Sequence, residues 1–76
     1  MAFDYRKLAG KIKEVCGTQD NFAKMLGIGR VSLSKRLNNK QDFTALEINR
    51  SCVILNIPLS EIPEYFFCKK SSETRT

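Results

Sequence analysis

One stretch, Thr18–Leu37 (TQDNFAKMLGIGRVSLSKRL), constrains the fold more than any other part of the chain. Phe22, Ala23 and Leu26 recur at helical spacing behind Thr18, whose hydroxyl suits a helix N-cap. Gly27 follows the last periodic apolar residue, where a left-handed residue ends a helix, and Ile28 can plug the corner. A second helix begins near Gly29, with Leu33 and Leu37 four apart on one face. Ala23 is small, as a helix must be where another crosses it closely. Two short helices joined by a tight turn, with the second presented outward, form the pattern of a helix-turn-helix.

The flanking sequence supplies further helices. Asp4 is an N-cap for a first helix, Tyr5–Cys16, on which Tyr5, Leu8, Ala9, Ile12 and Val15 make one apolar stripe and Gly17 ends the run. Gly10 inside it costs roughly 1 kcal/mol against Ala and predicts a close neighbour. Asn38–Asp42 is a polar loop with Lys40 at its tip, and Asn38-Asn39 suits a left-handed helix terminus. Thr44 with Glu47 spells a capping box, and Phe43 can staple onto Ile48. That helix runs to about Leu55 with Ala45, Ile48, Cys52 and Leu55 on one face. Leu46 and Val53 lie to one side, near Asn49 and Arg50. This widens the apolar arc beyond what a surface helix needs, so the last helix or a partner covers it. After the Asn56-Ile57-Pro58 turn, Ser60 caps a short last helix, Glu61–Phe67, with Pro63 in its first turn.

The expected fold is all-α, a compact bundle of about five short helices around the helix-turn-helix. Residues 1–68 form the single domain, opening on a loose arm, Met1–Phe3, and 69–76 a polar, disordered tail. No apolar run is long enough to span a membrane, and Arg6, Lys7, Lys11 and Lys13 interrupt any N-terminal signal region, so the expected location is the cytoplasm. Cys16, Cys52 and Cys68 are widely spaced and there is no His, so neither a disulfide framework, a metal site nor a cofactor is expected. Cys16 and Cys52 read as small buried apolar residues. Without His, a glycine-rich phosphate loop or paired carboxylates, the chain does not read as an enzyme.

The net charge of +5 is placed on one side of the sequence. Residues 1–43 hold nine Lys/Arg against four Asp/Glu, whereas 44–76 hold four of each. Between Asp20 and Asp42 there are five basic residues and no acidic one, a distribution that suits a polyanion.

Thr18-Gln19, Phe22-Ala23, Leu26-Gly27-Ile28 and the run Arg30–Lys35 resemble the phage Cro/CI-type, lambda-repressor-like family of helix-turn-helix regulators. Asp42-Phe43-Thr44, Leu55-Asn56-Ile57 and Tyr65-Phe66-Phe67 look like a narrower group, the small Cro-like or repression-modulating proteins of Gram-positive phages. The resemblance spans roughly residues 3–68. It implies that the start of the second motif helix enters the major groove. Arg30, Val31, Ser32 and Lys35 are then base-reading candidates, with Arg30 or Lys35 donating to guanine and Val31 packing on a thymine methyl. Gln19, Ser34, Asn38 and Lys40 are phosphate candidates. Arg36 and Lys24 can simply solvate the surface.

Two functions fit. A Cro-like, sequence-specific transcriptional regulator would bind a double-stranded DNA operator and control a phage lysis/lysogeny switch, as a homodimer on a two-fold site. Ile62, Tyr65 and Phe67 would form the partner or dimer surface, while Phe66 closes the core. Alternatively, the chain is an antirepressor or co-repressor that binds a partner phage repressor, with the same exposed helix as a protein contact.

Overall fold

The helices begin and end where side chains satisfy, or glycine and asparagine redirect, the backbone. The computed structural model describes residues 3–69. It contains α1 (Arg6–Cys16), α2 (Gln19–Leu26), α3 (Arg30–Leu37), α4 (Ala45–Leu55) and α5 (Ile62–Phe66), the last preceded by a 3-10 turn over Leu59–Glu61. The fold is all-α, a compact bundle with no strand among the described residues beyond an isolated antiparallel bridge between Phe3 and Lys69.

Thr18 is extended, and its hydroxyl accepts the Asn21 N–H at 3.1 Å, which starts α2. Gly27 ends α2 at φ +87°, a left-handed conformation. The N–H groups of Gly27 and Ile28 both donate to the Ala23 carbonyl, at 2.9 and 3.0 Å, so the sharp bend into α3 leaves few orphan groups. Thr44 and Glu47 form the full capping box of α4, each side chain 3.1 Å from the other's backbone nitrogen.

The core is built from one face of each helix. Leu8 and Ile12 of α1, Phe22, Ala23 and Leu26 of α2, Leu33 of α3, Cys52 and Leu55 of α4, and Tyr65 and Phe66 of α5 are all buried. Ser51 is also fully buried, and its hydroxyl is satisfied by donating to the Glu47 carbonyl at 2.7 Å. A chain of edge-on ring contacts runs from Tyr5 through Phe43 to Phe66, at 5.5 and 5.2 Å between centroids.

Several expectations need correction. α1 is assigned from Arg6 with Tyr5 at its cap, although the Asp4 carboxylate still accepts the Arg6 N–H at 2.9 Å. Val15 is 46% exposed, so the last position of the expected apolar stripe on α1 faces solvent. Gly10 has open space where a Cβ would stand, so no close neighbour accounts for it. Ala45 is exposed and Cys16 only half-buried. Ser60 makes no cap; it lies within the 3-10 turn, which is closed by the Glu61 N–H on the Pro58 carbonyl. Pro63 does sit in the first turn of α5.

Phe3 is held rather than loose. Its N–H donates to Asn39 Oδ1 at 2.8 Å, and its carbonyl accepts from Asn39 Nδ2 at 2.9 Å. Asn39, at φ +63°, is the left-handed residue after α3. Asp4 N–H donates to the Cys68 carbonyl, and Lys69, expected in the tail, pairs with Phe3. Residues 1–2 of the expected arm and 70–76 of the expected tail lie outside the described residues.

The remaining tie is ionic. Arg36 of α3 grips Glu47 of α4 through two nitrogens, Nε to Oε1 at 2.8 Å and Nη2 to Oε2 at 3.0 Å. Nη1 donates to the Ser32 carbonyl. Both side chains are nearly out of solvent, at 11% and 14% exposure. Arg36 is therefore structural and not the solvating residue expected. Burial alone would raise the Glu47 pKa, but hydrogen bonds from Arg36 and Thr44, with the Arg36 charge, outweigh it and hold the carboxyl below the usual glutamate range.

Arg36→Ala should lower stability by about 2 kcal/mol in urea unfolding, since it leaves a half-buried carboxylate without its main partner. A depressed carboxylate pKa stabilises the fold above the ordinary glutamate value, and that contribution disappears as pH falls through the folded value. The gap between wild type and Arg36→Ala should therefore shrink in acid, measured by melts across that range. Gly27→Ala should cost on the order of 1 kcal/mol, because Ala must adopt the left-handed conformation.

Candidate functional site

α3 is anchored by few apolar groups. Leu33 is fully buried and Leu37 half-buried against the core, while Gly29, extended at φ −74°, starts the helix without a side-chain cap. Successive residues turn by about 100°, so holding Leu33 inward drives the opposite face into solvent. Lys35 and Asn38 are exposed there, Val31 is 69% exposed, and Arg30 is exposed in the first turn, about 60° around the helix from Leu33. Ser32 and Ser34 are half-buried at the flanks.

Of the base-reading candidates, Val31 and Lys35 thus share one outward surface, with Arg30 exposed beside it at the start of the helix. Ser32 stands apart: its carbonyl is taken by Arg36, and its side chain lies at the helix flank. The phosphate candidates are more scattered. Gln19 is half-buried at the start of α2, and Lys40 is exposed in the loop after α3. The Asn38 amide folds back on Ser34, reaching its carbonyl at 2.8 Å and its hydroxyl at 3.3 Å, which occupies both side chains locally.

The charge pattern sharpens when ion pairs are removed. Arg6, Lys7, Lys11 and Arg36 are neutralised by Asp4, Glu64, Glu14 and Glu47 respectively. Lys24, Arg30, Lys35, Lys40 and Arg50 have no ion-pair partner among the described residues. Cations outside these ion pairs thus lie on α2, α3, the loop beyond it and α4, together with Lys13 of α1 and Lys69, while Asp20 and Asp42 are acids of α2 and that loop that also stand outside them. A cationic rim around an exposed Val is suited to a macromolecular surface that is partly anionic and partly apolar.

The expected partner surface on α5 is not assembled. Tyr65 is 6% exposed, with the Lys7 ammonium 4.9 Å from its ring centroid, and Ile62 packs against the core. Only Phe67, at 48% exposure, retains aromatic surface, and it stacks edge-on against Phe3 at 5.7 Å. The short helix is drawn into the bundle by Tyr65 and Phe66 together, as expected for Phe66 alone. Apolar surface instead remains on Met25, Leu46 and Val53, at 57%, 62% and 83% exposure. Met25 was legible as a residue off the Phe22–Ala23–Leu26 stripe of α2.

Among the described residues no cluster of His, Cys, Asp or Glu could hold a metal ion, and no helix is long and apolar enough to cross a membrane. Cys16, Cys52 and Cys68 are all free thiols.

Comparison with known proteins sets this surface in context. The family described as "Protein of unknown function (DUF739)" matches residues 1–69. Among solved structures, the modulator of repression (MOR) of the temperate bacteriophage TP901-1 from Lactococcus lactis is similar, at 42% identity and a TM-score of 0.77. The match covers 88% of this chain and 90% of that one. No curated protein matches.

Val31→Asp should leave thermal stability within about 0.5 kcal/mol of wild type, as expected of a solvent-facing position. Leu33→Ala, two residues away and buried, should cost about 2–5 kcal/mol. Paired melts of the two variants test the orientation of α3.

Proposed function

We propose a regulatory function on the premise that the chain belongs to the DUF739 family, whose match runs over residues 1–69. In this reading the protein is a phage regulator that binds a partner repressor and alters that repressor's occupancy of its operators, as an antirepressor or co-repressor in the bacterial cytoplasm. The observation that carries the reading is the likeness, over nearly the whole chain, to a phage modulator of repression. The exposed face of α3 supports it, because a solvent-facing Val31 among unpaired cations fits a surface that another macromolecule covers.

A second reading rests on a separate observation. Arg30 and Lys35 of α3, and Lys40 just beyond it, make no ion pair among the described residues, and the α2–α3 sequence resembles a helix-turn-helix of the Cro/CI type, so α3 would fit the major groove of operator DNA. Arg30 and Lys35 would then donate to guanine edges, and Val31 would pack on a thymine methyl.

The test is size-exclusion chromatography of the chain with the repressor encoded beside it, followed by gel shifts on the intervening DNA. Co-elution, with an altered repressor shift when the chain is added, is the expected result. Separate elution at micromolar concentrations rejects the partner reading. A shift by the chain alone that weakens steeply with salt, and is lost in Lys35→Ala and Arg30→Ala, favours the second reading.

A further inference from the structure

We infer that the outward stripe of α4, joined by Met25 of α2, is a docking surface for an amphipathic helix of the partner repressor whose apolar ridge is bordered by carboxylates. The inference rests on the repressor-binding reading above and adds a face that is separate from α3.

Leu46, Asn49, Arg50 and Val53 follow the i, i+3, i+4, i+7 pattern and fall within about 100° of helical arc. They lie opposite the buried side of α4, which carries Ser51, Cys52 and Leu55. A surface helix normally turns polar residues outward along such a stripe. Here Leu46 and Val53 are 62% and 83% exposed, and α5, which could have covered them, packs elsewhere through Tyr65 and Phe66. Met25, Asn49, Arg50, Val53 and Ile54 line a shallow groove of about 320 Å³. Leu46 lies outside the groove, one end of an exposed apolar stripe that reaches Val53 two helical turns on, and a groove continued by such a stripe is the arrangement that receives the apolar face of a second helix.

Charge selects the occupant. No acidic side chain lines the groove. Among the described residues Arg50 has no ion-pair partner and makes one hydrogen bond, Nη1 to the Leu26 carbonyl at 3.3 Å, which leaves most of its donors available. Lys24, adjacent to Met25 in sequence, is also unpaired. A second copy of this face would bring Arg50 against like charge, whereas a carboxylate-bearing helix would meet it with a bidentate partner. Arg50 also touches the bend before α3: its Nη1 lies 3.5 Å from where a Cβ on Gly27 would stand. A helix seated here therefore abuts the α2–α3 turn while the Val31 face stays open.

The experiment is titration of the cognate repressor, by calorimetry, with wild type, Leu46→Asp, Val53→Asp and Leu59→Asp, each checked by melting and by light scattering. The expected result is tenfold or greater weakening by Leu46→Asp and Val53→Asp, with unchanged melting and with Leu59→Asp, an exposed apolar position outside both faces, within about threefold of wild type. Should an Asp variant melt early, Val53→Ser at the same position replaces it and should weaken binding about threefold. Arg50→Gln, which can keep a bond to the Leu26 carbonyl, should flatten the salt dependence of binding. Wild-type binding that Leu46 and Val53 variants do not disturb overturns the inference and leaves the repressor-binding reading standing. A wild-type dimer that Val53→Asp dissociates also overturns it, since the occupant is then a second copy. Absence of any wild-type complex rejects both readings together.

Discussion

The grip of Arg36 on Glu47 decides where α3 points. That helix has a single fully buried apolar residue, Leu33, with Leu37 only half-buried against the core, so hydrophobic contact alone defines its rotation loosely. The guanidinium adds a second, directional anchor with two parallel bonds to one carboxylate. Its partner is no independent surface acid. Glu47 closes the capping box of α4, and its carbonyl takes the buried Ser51 hydroxyl. One glutamate therefore starts one helix and aims another, so the outward presentation of Arg30, Val31 and Lys35 is coupled to the integrity of the α4 N-terminus.

The outward surfaces acquire a division of labour from this frame. Around α3, Arg30, Lys35 and Lys40 stand outside the ion pairs found among the described residues, while Arg36 takes Glu47. Along α4, apolar groups remain because the C-terminal helix is too short to reach past its own two buried rings. The two faces differ in chemistry, one cationic with a single aliphatic tip, the other aliphatic with a single guanidinium.

Much of this was legible in the residues, where the signal is local. Thr18, Gly27 and the Thr44–Glu47 pair act within a few positions of themselves, so their roles follow from backbone hydrogen bonding alone. The outward orientation of Val31 and Lys35 followed from the helical period once Leu33 was taken as buried. Arg36 escaped because its partner lies in another helix, and a lone arginine in a basic stretch looks like a solvated one. Tyr65 escaped for a similar reason: five residues of α5 could face the bundle or a partner, and only the packing against Lys7 and the core decides between them. The bracketing of Phe3 by Asn39 depends on a contact 36 positions apart that no periodicity reports. Gly10 remains without a structural account.

The pairing of Phe3 with Lys69 carries a consequence for the order of events in folding. These residues stand 66 positions apart (3 to 69), so their bridge closes nearly the longest loop the described chain can form. The caps and the α2–α3 bend need only neighbours and can assemble while the chain is still being synthesised. Asn39, available much earlier than Lys69, can hold the Phe3 backbone in position beforehand, and the final closure then joins a segment already ordered. The last contact to form is thus prepared by a residue that belongs to the end of α3.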